Sequence, residues 1–177
     1  MDTMSTINVK YVITPYKPVT TTLSLVKSFE VTDFNIPLYL YENKNVRPMI
    51  FSPKDVVYIN EDKEEESYSL VIGTKRNPSE HVFIECDVCL SSNINNKFLL
   101  DGQITVLKRE DGHAEVLTKF NESRWIVFSQ TNTIGWEAYI DDNRTPIYYA
   151  DHVFQAVLIP AGKHLVVFKF KSFSFLQ

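Results

Sequence analysis

The chain has 177 residues, 44% of them hydrophobic and 23% charged, enough apolar material for one core, or two small ones, without disulfides or metals. Its 18 basic and 22 acidic residues leave a net charge of −4, and the run Glu61-Asp62-Lys63-Glu64-Glu65-Glu66 accounts for all of it. Collagen, coiled coil and a fully disordered chain are excluded, and without a basic field to collect phosphates nucleic-acid binding is disfavoured.

Met1 to Ser5 has neither a basic n-region nor an apolar h-region, so it does not read as a signal peptide. No stretch reaches the roughly 18 to 20 apolar residues needed to span a bilayer. On these grounds alone the expectation is a soluble cytoplasmic chain.

The residue mix, with 12 Phe, 9 Tyr and 2 Trp, favours strands. In chain order, strands are expected over Ile7–Thr14, Leu23–Glu30, Pro37–Glu42, Met49–Phe51 and Val56–Ile59. Pro15, Pro18 and Asn43-Lys44-Asn45 supply the breaks. Residues 61 to 72 are the one helix candidate, with Asn60 as cap, acidic residues in the first turn and Gly73 as terminator. A solvated acidic loop is the simpler alternative for this run.

From Glu80 onward the pattern is all strand. His81–Val88 is followed by Ile104–Arg109 and His113–Phe120 around Glu110-Asp111-Gly112, a strong hairpin signal. Arg124–Ser129 returns. Trp136–Ile140 and Pro146–Tyr149 flank a tight turn at Asp141-Asp142-Asn143-Arg144, and Phe154–Ile159 and His164–Phe170 flank Pro160-Ala161-Gly162-Lys163. Strands at this spacing predict a mainly β chain. The expected architecture is an antiparallel, jelly-roll-like β-sandwich over residues 80–177, and an N-terminal mixed strand region over residues 1–79 carries one short helix.

The chemistry-bearing residues are few. Cys86 and Cys89 form a lone CxxC. A strand running straight through them would point them to opposite faces, so two buried, inert thiols are expected. His81, His113, His152 and His164 show no HxxxH or HExxH spacing, so no metal site is signalled and no cofactor is called for. Asp141-Asp142 invites comparison with paired glycosidase carboxylates. Adjacent turn residues diverge, however, while a retaining pair must converge to about 5 Å, so a turn is expected. No catalytic residue is assigned.

The aromatics Trp136, Tyr139, Tyr148 and Tyr149 crowd one expected hairpin. Trp and Tyr can stack on sugar rings and still offer a polar edge, which makes these four the candidate glycan or partner contacts. The simpler reading is core filling. Period-two alternation requires Tyr148 and Tyr149 to face opposite ways. Gly135, Trp136, Asp141, Gly162 and His164 are expected to be structural first: Gly135 for close packing, Trp136 mostly buried, Gly162 in a turn, and His164 bonded to turn backbone.

Two segments carry a resemblance. The first is INVKYVIT (Ile7–Thr14), then LYLYEN (Leu38–Asn43), then VRPMIF (Val46–Phe51). The second runs from Ile134 through GWEAYIDDNRTPIYYADHVFQAVLIPAGKHLVVFKF to Phe170. In order and spacing they resemble the C-terminal soluble portion of YfhO-family bacterial membrane proteins. Residues 52–123 match in pattern only. Ile134 stands where that family has proline, and Asp142 where it has the glycine of an Asp-Gly turn.

The resemblance implies an excised extracytoplasmic domain on the outer face of a bacterial membrane. Its parent would be a multi-spanning, GT-C glycosyltransferase-like protein whose catalytic acids lie in membrane-proximal loops outside this chain. The implied partners are the membrane-embedded part of the parent and a cell-wall or surface glycan acceptor. The implied role is non-catalytic positioning of that acceptor. A free-standing carbohydrate-binding β-sandwich module is the alternative.

Overall fold

The computed structural model describes residues 3–31, 36–60, 62, 64–73, 76–77, 80–91, 97–98 and 102–171. The protein is mainly β, as the strand periodicity predicts. It divides into two compact units, Met1–Arg47 and Pro48–Gln177.

The smaller unit holds α1 (Thr3–Thr6), β1 (Tyr11–Thr14), β2 (Leu23–Val31) and β3 (Ile36–Asn43). The strands form one antiparallel sheet in the order β1-β3-β2. The first strand starts later than its pattern suggests, because a helical turn precedes it and Asn8 turns the chain at φ 60°. Asn43 ties the unit together. Its buried amide donates to Ser5 Oγ and to the Val9 carbonyl, each at 3.0 Å, and its Oδ1 accepts from Asn45 N at 2.9 Å.

The larger unit opens with β4 (Ile50–Phe51), β5 (Asp55–Ile59), α2 (Glu64–Gly73), β6 (His81–Glu85) and α3 (Asp87–Ser91). It continues with β7 (Gly102–Glu110), β8 (His113–Phe120), β9 (Arg124–Thr131), β10 (Trp136–Ile140) and β11 (Asn143–Thr145). It ends with β12 (Tyr148–Ala150), β13 (Phe154–Ile159) and β14 (Gly162–Phe170). A five-stranded antiparallel sheet has the order β11-β10-β14-β8-β7, and a six-stranded sheet the order β4-β9-β13-β12-β6-β5.

The boundary therefore falls at 47/48 rather than at 79/80. The reason is pairing: β4 joins β9, and β5 joins β6. The β5–β6 pair is parallel and joins the expected mixed N-terminal strand region to the sandwich. A parallel pair needs a crossover, which a tight turn cannot provide, and α2 lies within this connection. Glu64 to Glu66, the end of the acidic run, open this connecting helix, with Val71 buried and Tyr68 and Leu70 exposed.

One core lies between the two sheets. Ala114, Val116, Ala138, Val166 and Phe168 from the five-stranded sheet meet Ile126, Phe128, Val157 and Ile159 from the other. A second core covers the opposite face of the six-stranded sheet, with Trp125, Val127, Val82, Ile84, Ala156, Cys89 and Phe98. Strand β9 is buried on both faces from Arg124 to Ser129. That is why its sequence is an unbroken apolar run instead of an alternation. Its Ile126, Val127 and Phe128 side chains each contribute about 1.5–3 kcal/mol on full burial.

The turn at Pro160-Ala161 is not a hairpin. Strand β13 sits in one sheet and β14 in the other, so Pro160-Ala161 is a corner where the chain changes sheets. The same holds between β11 and β12, which separates the expected Pro146–Tyr149 strand from its supposed partner Trp136–Ile140.

Candidate functional site

The β10–β11 turn and the start of β14 meet at Asp141 and His164. Asp141 and Asp142 both take positive φ, 48° and 67°, the form that a two-residue hairpin loop requires. The two aspartates thus supply both positive-φ positions of the turn. Asn143 starts β11 and donates from Nδ2 to the Asp141 carbonyl at 3.1 Å. His164 Nδ1 donates to Asp141 Oδ2 at 2.6 Å, and Asp141 Oδ1 accepts from Leu165 N at 2.8 Å. His164 Nε2 reaches the Ala161 carbonyl at 3.2 Å. Gly162 has φ +127°, and a Cβ there would stand 3.0 Å from that imidazole. At the other end of β10, Gly135 has φ +108°, and its Cβ would meet the Phe170 ring at 2.7 Å and the Lys171 carbonyl at 2.9 Å. The Asp141 carboxylate serves His164 and the Leu165 amide, and its neighbour Asp142 is exposed.

Trp136 is only partly exposed and packs against the core between the sheets. Its inward face packs edge-on to Phe128, centroids 5.9 Å apart, and tilted on Phe170 at 5.5 Å. Such pairs are worth about 0.5–1.5 kcal/mol beyond area burial. The rest of the indole separates two open grooves. The first, about 460 Å³, is lined by Arg109 and Asp111 from the β7–β8 hairpin, Gln130 at the end of β9, Thr133 and Phe170. The second, about 500 Å³, is lined by Asn132, Glu137, Arg144, Thr145 and Ile147.

Glu137 anchors the second groove. It accepts from Tyr139 Oη at 2.6 Å and pairs with Lys171 at 2.6 Å and with Arg144 at 3.5 Å. The Lys171 ammonium, and then the Tyr139 hydroxyl, hold its carboxyl below the usual range. The same contacts push Lys171 and Tyr139 up. Strand alternation explains the split: Trp136, Ala138 and Ile140 face the core, while Glu137 and Tyr139 face out.

The four candidate aromatics do not form one patch. Trp136 and Tyr139 lie on opposite faces of β10, in the five-stranded sheet. Tyr148 and Tyr149 lie on β12, in the six-stranded sheet. Tyr148 turns inward, edge-on to Trp125 with centroids 5.3 Å apart, whereas Tyr149 is exposed. Their spacing in the sequence suggests a hairpin that the sheet crossing dissolves.

Two polar groupings are not signalled by any motif in the sequence. Asp151 is buried, pairs with Arg76 at 2.8 Å and accepts from Phe83 N at 3.0 Å. Arg76 also donates to the His81 carbonyl. His152 Nδ1 lies 3.0 Å from Glu85 Oε1, and its ring stands edge-on to Tyr68 at 6.0 Å. Asp151 and His152 both have positive φ. An Asp followed by a second polar residue between two apolar strands is the turn signal that points there.

The cysteines depart from expectation. Strand β6 ends at Glu85 and the chain turns into α3, so Cys86 and Cys89 come together at a Cα–Cα distance of 5.3 Å and form a disulfide. They remain buried, but they are not free thiols.

Among the described residues, no group of three or more His, Cys, Asp or Glu is placed to hold a metal ion, and no helix is long and apolar enough to cross a membrane. Comparison of the chain with protein-family models, with curated proteins and with solved structures finds no match.

Proposed function

We propose that this chain is a non-catalytic, extracytoplasmic module of a YfhO-like, glycosyltransferase-like membrane protein, and that it positions a cell-surface glycan acceptor for its parent. The observation that carries the glycan part is Trp136. Its partly exposed indole, packed against Phe128 and Phe170, lines two grooves whose walls mix polar and apolar side chains. An aromatic platform ringed by planar hydrogen-bonding groups is the arrangement that a sugar ring fits.

Two further observations support the reading. The order of the segments Ile7–Thr14, Leu38–Asn43, Val46–Phe51 and Ile134–Phe170 resembles that of YfhO-family proteins. The Cys86–Cys89 disulfide suits an oxidising compartment better than a reducing one. The partners in this reading are the membrane-embedded part of the parent chain and the glycan. The chemistry of transfer belongs to the parent.

The same groove favours a second reading, a free-standing carbohydrate-binding β-sandwich module. The reading frame around this chain separates the two: hydrophobic spans in the same frame support the membrane-protein reading, and their absence leaves the free module. A glycan array probed with the purified chain tests what both share. Bound glycans that are lost on replacing Trp136 support the proposal. An array with no specific binder removes it.

A further inference from the structure

The two grooves share one wall, and the ligand they fit follows from their chemistry. Trp136 lines both. At about 460 and 500 Å³, each lies within the roughly 300–1,000 Å³ range of small-molecule sites. The first groove offers the planar groups of Arg109, Asp111 and Gln130, the second those of Asn132 and Arg144. Planar amides, carboxylates and guanidinia donate or accept in pairs, which suits neighbouring hydroxyls on a pyranose ring.

Charge decides between ligand classes. In the first groove Arg109 is set against Glu110 and Asp111, and Glu110 is itself paired with Lys108 at 3.0 Å. In the second, Arg144 is set against Glu137. Among the groove-lining side chains neither groove presents an excess of positive charge; Lys171, outside the lining, shares Glu137 with Arg144. A phosphate-bearing or uronate-rich chain would lose its hydration shell here without gaining an unbalanced cation to replace it.

Resting on the glycan reading above, we propose that the two grooves are consecutive subsites for a linear, uncharged oligosaccharide, with one ring stacked on Trp136 at the junction. The site then reads the interior of a chain and not a terminal sugar. Arg109 and Gln130 hold the ring on one side, and Asn132 and Arg144 hold the ring on the other.

The test uses neutral homo-oligosaccharide ladders of glucose, galactose and N-acetylglucosamine, one to six rings long, together with a polyglycerol-phosphate chain. Binding is read by calorimetry and by tryptophan fluorescence. For one neutral ladder, affinity should rise by about tenfold or more between one ring and four. Gln130→Ala and Arg144→Ala, one in each groove, should each lower tetrasaccharide affinity by about tenfold with an unchanged melting temperature. Equal affinity for one ring and for four, or loss in one of these variants only, overturns the consecutive subsites but leaves the glycan reading standing. Tighter binding of the polyglycerol phosphate than of every neutral ladder overturns the uncharged class. No binding of any probe overturns both this inference and the reading beneath it.

Discussion

His164 and Asp141, 23 positions apart, are joined by a 2.6 Å hydrogen bond from Nδ1 to Oδ2. Because Nε2 also faces the Ala161 carbonyl, both ring nitrogens act as donors, which is the imidazolium form. The Asp141 carboxylate raises the pKa of His164 above 6.5, with partial burial opposing. The imidazole and then the Leu165 amide lower that of Asp141 below 3.8. The clamp locks the β10–β11 turn to the start of β14, at the end of β10 opposite Trp136.

The clamp makes stability depend on pH in a stated direction. A raised histidine pKa adds stability that is fully present below the unfolded value of 6.5 and lost as pH rises through the higher folded value. A lowered aspartate pKa adds stability present above 3.8 and lost as pH falls through the lower folded value. The two overlap between these limits. His164→Asn should therefore lower the melting temperature most at about pH 5 and progressively less toward alkaline pH. Calorimetry of both proteins across that range checks it, and a gap that widens toward alkaline pH would contradict it.

Two positive-φ glycines, Gly162 beside the clamp and Gly135 at the far end of β10, should not respond alike to an added methyl group. At Gly135 the methyl meets a backbone carbonyl, that of Lys171, at 2.9 Å; at Gly162 it meets a side-chain imidazole at 3.0 Å. Both variants incur backbone strain of about 1–3 kcal/mol, but only the imidazole can move aside cheaply. Gly135→Ala should therefore melt lower than Gly162→Ala in thermal unfolding.

The two tryptophans should separate stability from surface function. Trp125 is fully buried, donates to Tyr58 Oη at 3.0 Å and packs on Tyr148. Trp125→Ala should cost about 3–5 kcal/mol in denaturant unfolding. Trp136→Ala should cost less, about 1–3 kcal/mol, because only part of its indole is buried.

Much of this fold is legible in the amino-acid sequence. The apolar run of β9, the Asp111-Gly112 hairpin and the crossover helix all follow from local pattern. Which strands share a sheet does not. Pro160-Ala161 looks like a hairpin turn, since the distance over which a chain continues before pairing is set by packing and not by its own residues. For the same reason local spacing puts Tyr148 and Tyr149 beside Trp136, and it hides Arg109 and Gln130, which come from two other strands. For the cysteines the missing information is local. The strand stops at Glu85, one residue before Cys86, and a helical turn then brings the pair together.

The Arg76–Asp151 pair is buried, with side chains 6% and 0% exposed. Taking the guanidinium away from a buried carboxylate costs about 3–5 kcal/mol. Arg76→Ala should lower unfolding free energy by that order. Adding Asp151→Asn should restore part of it, because asparagine tolerates the positive φ of 48° and can still accept from Phe83 N.

The buried Cys86–Cys89 bridge should resist reagents that cannot reach it. Dithiothreitol followed by iodoacetamide should leave the native protein unlabelled and should label both cysteines once guanidinium has unfolded it, as mass spectrometry would show. Rapid labelling of the native chain would mean that this segment opens readily.

The central claim is that a glycan is held at Trp136. The chain has 2 Trp, one buried beside Tyr58 and one between the grooves, so their indole N–H resonances report core and site separately. The most direct measurement is an NMR titration of the isotope-labelled protein with the best-bound array glycan. The account predicts that the Trp136 indole resonance shifts saturably while that of Trp125 stays in place. A glycan that binds without moving the Trp136 resonance would contradict it.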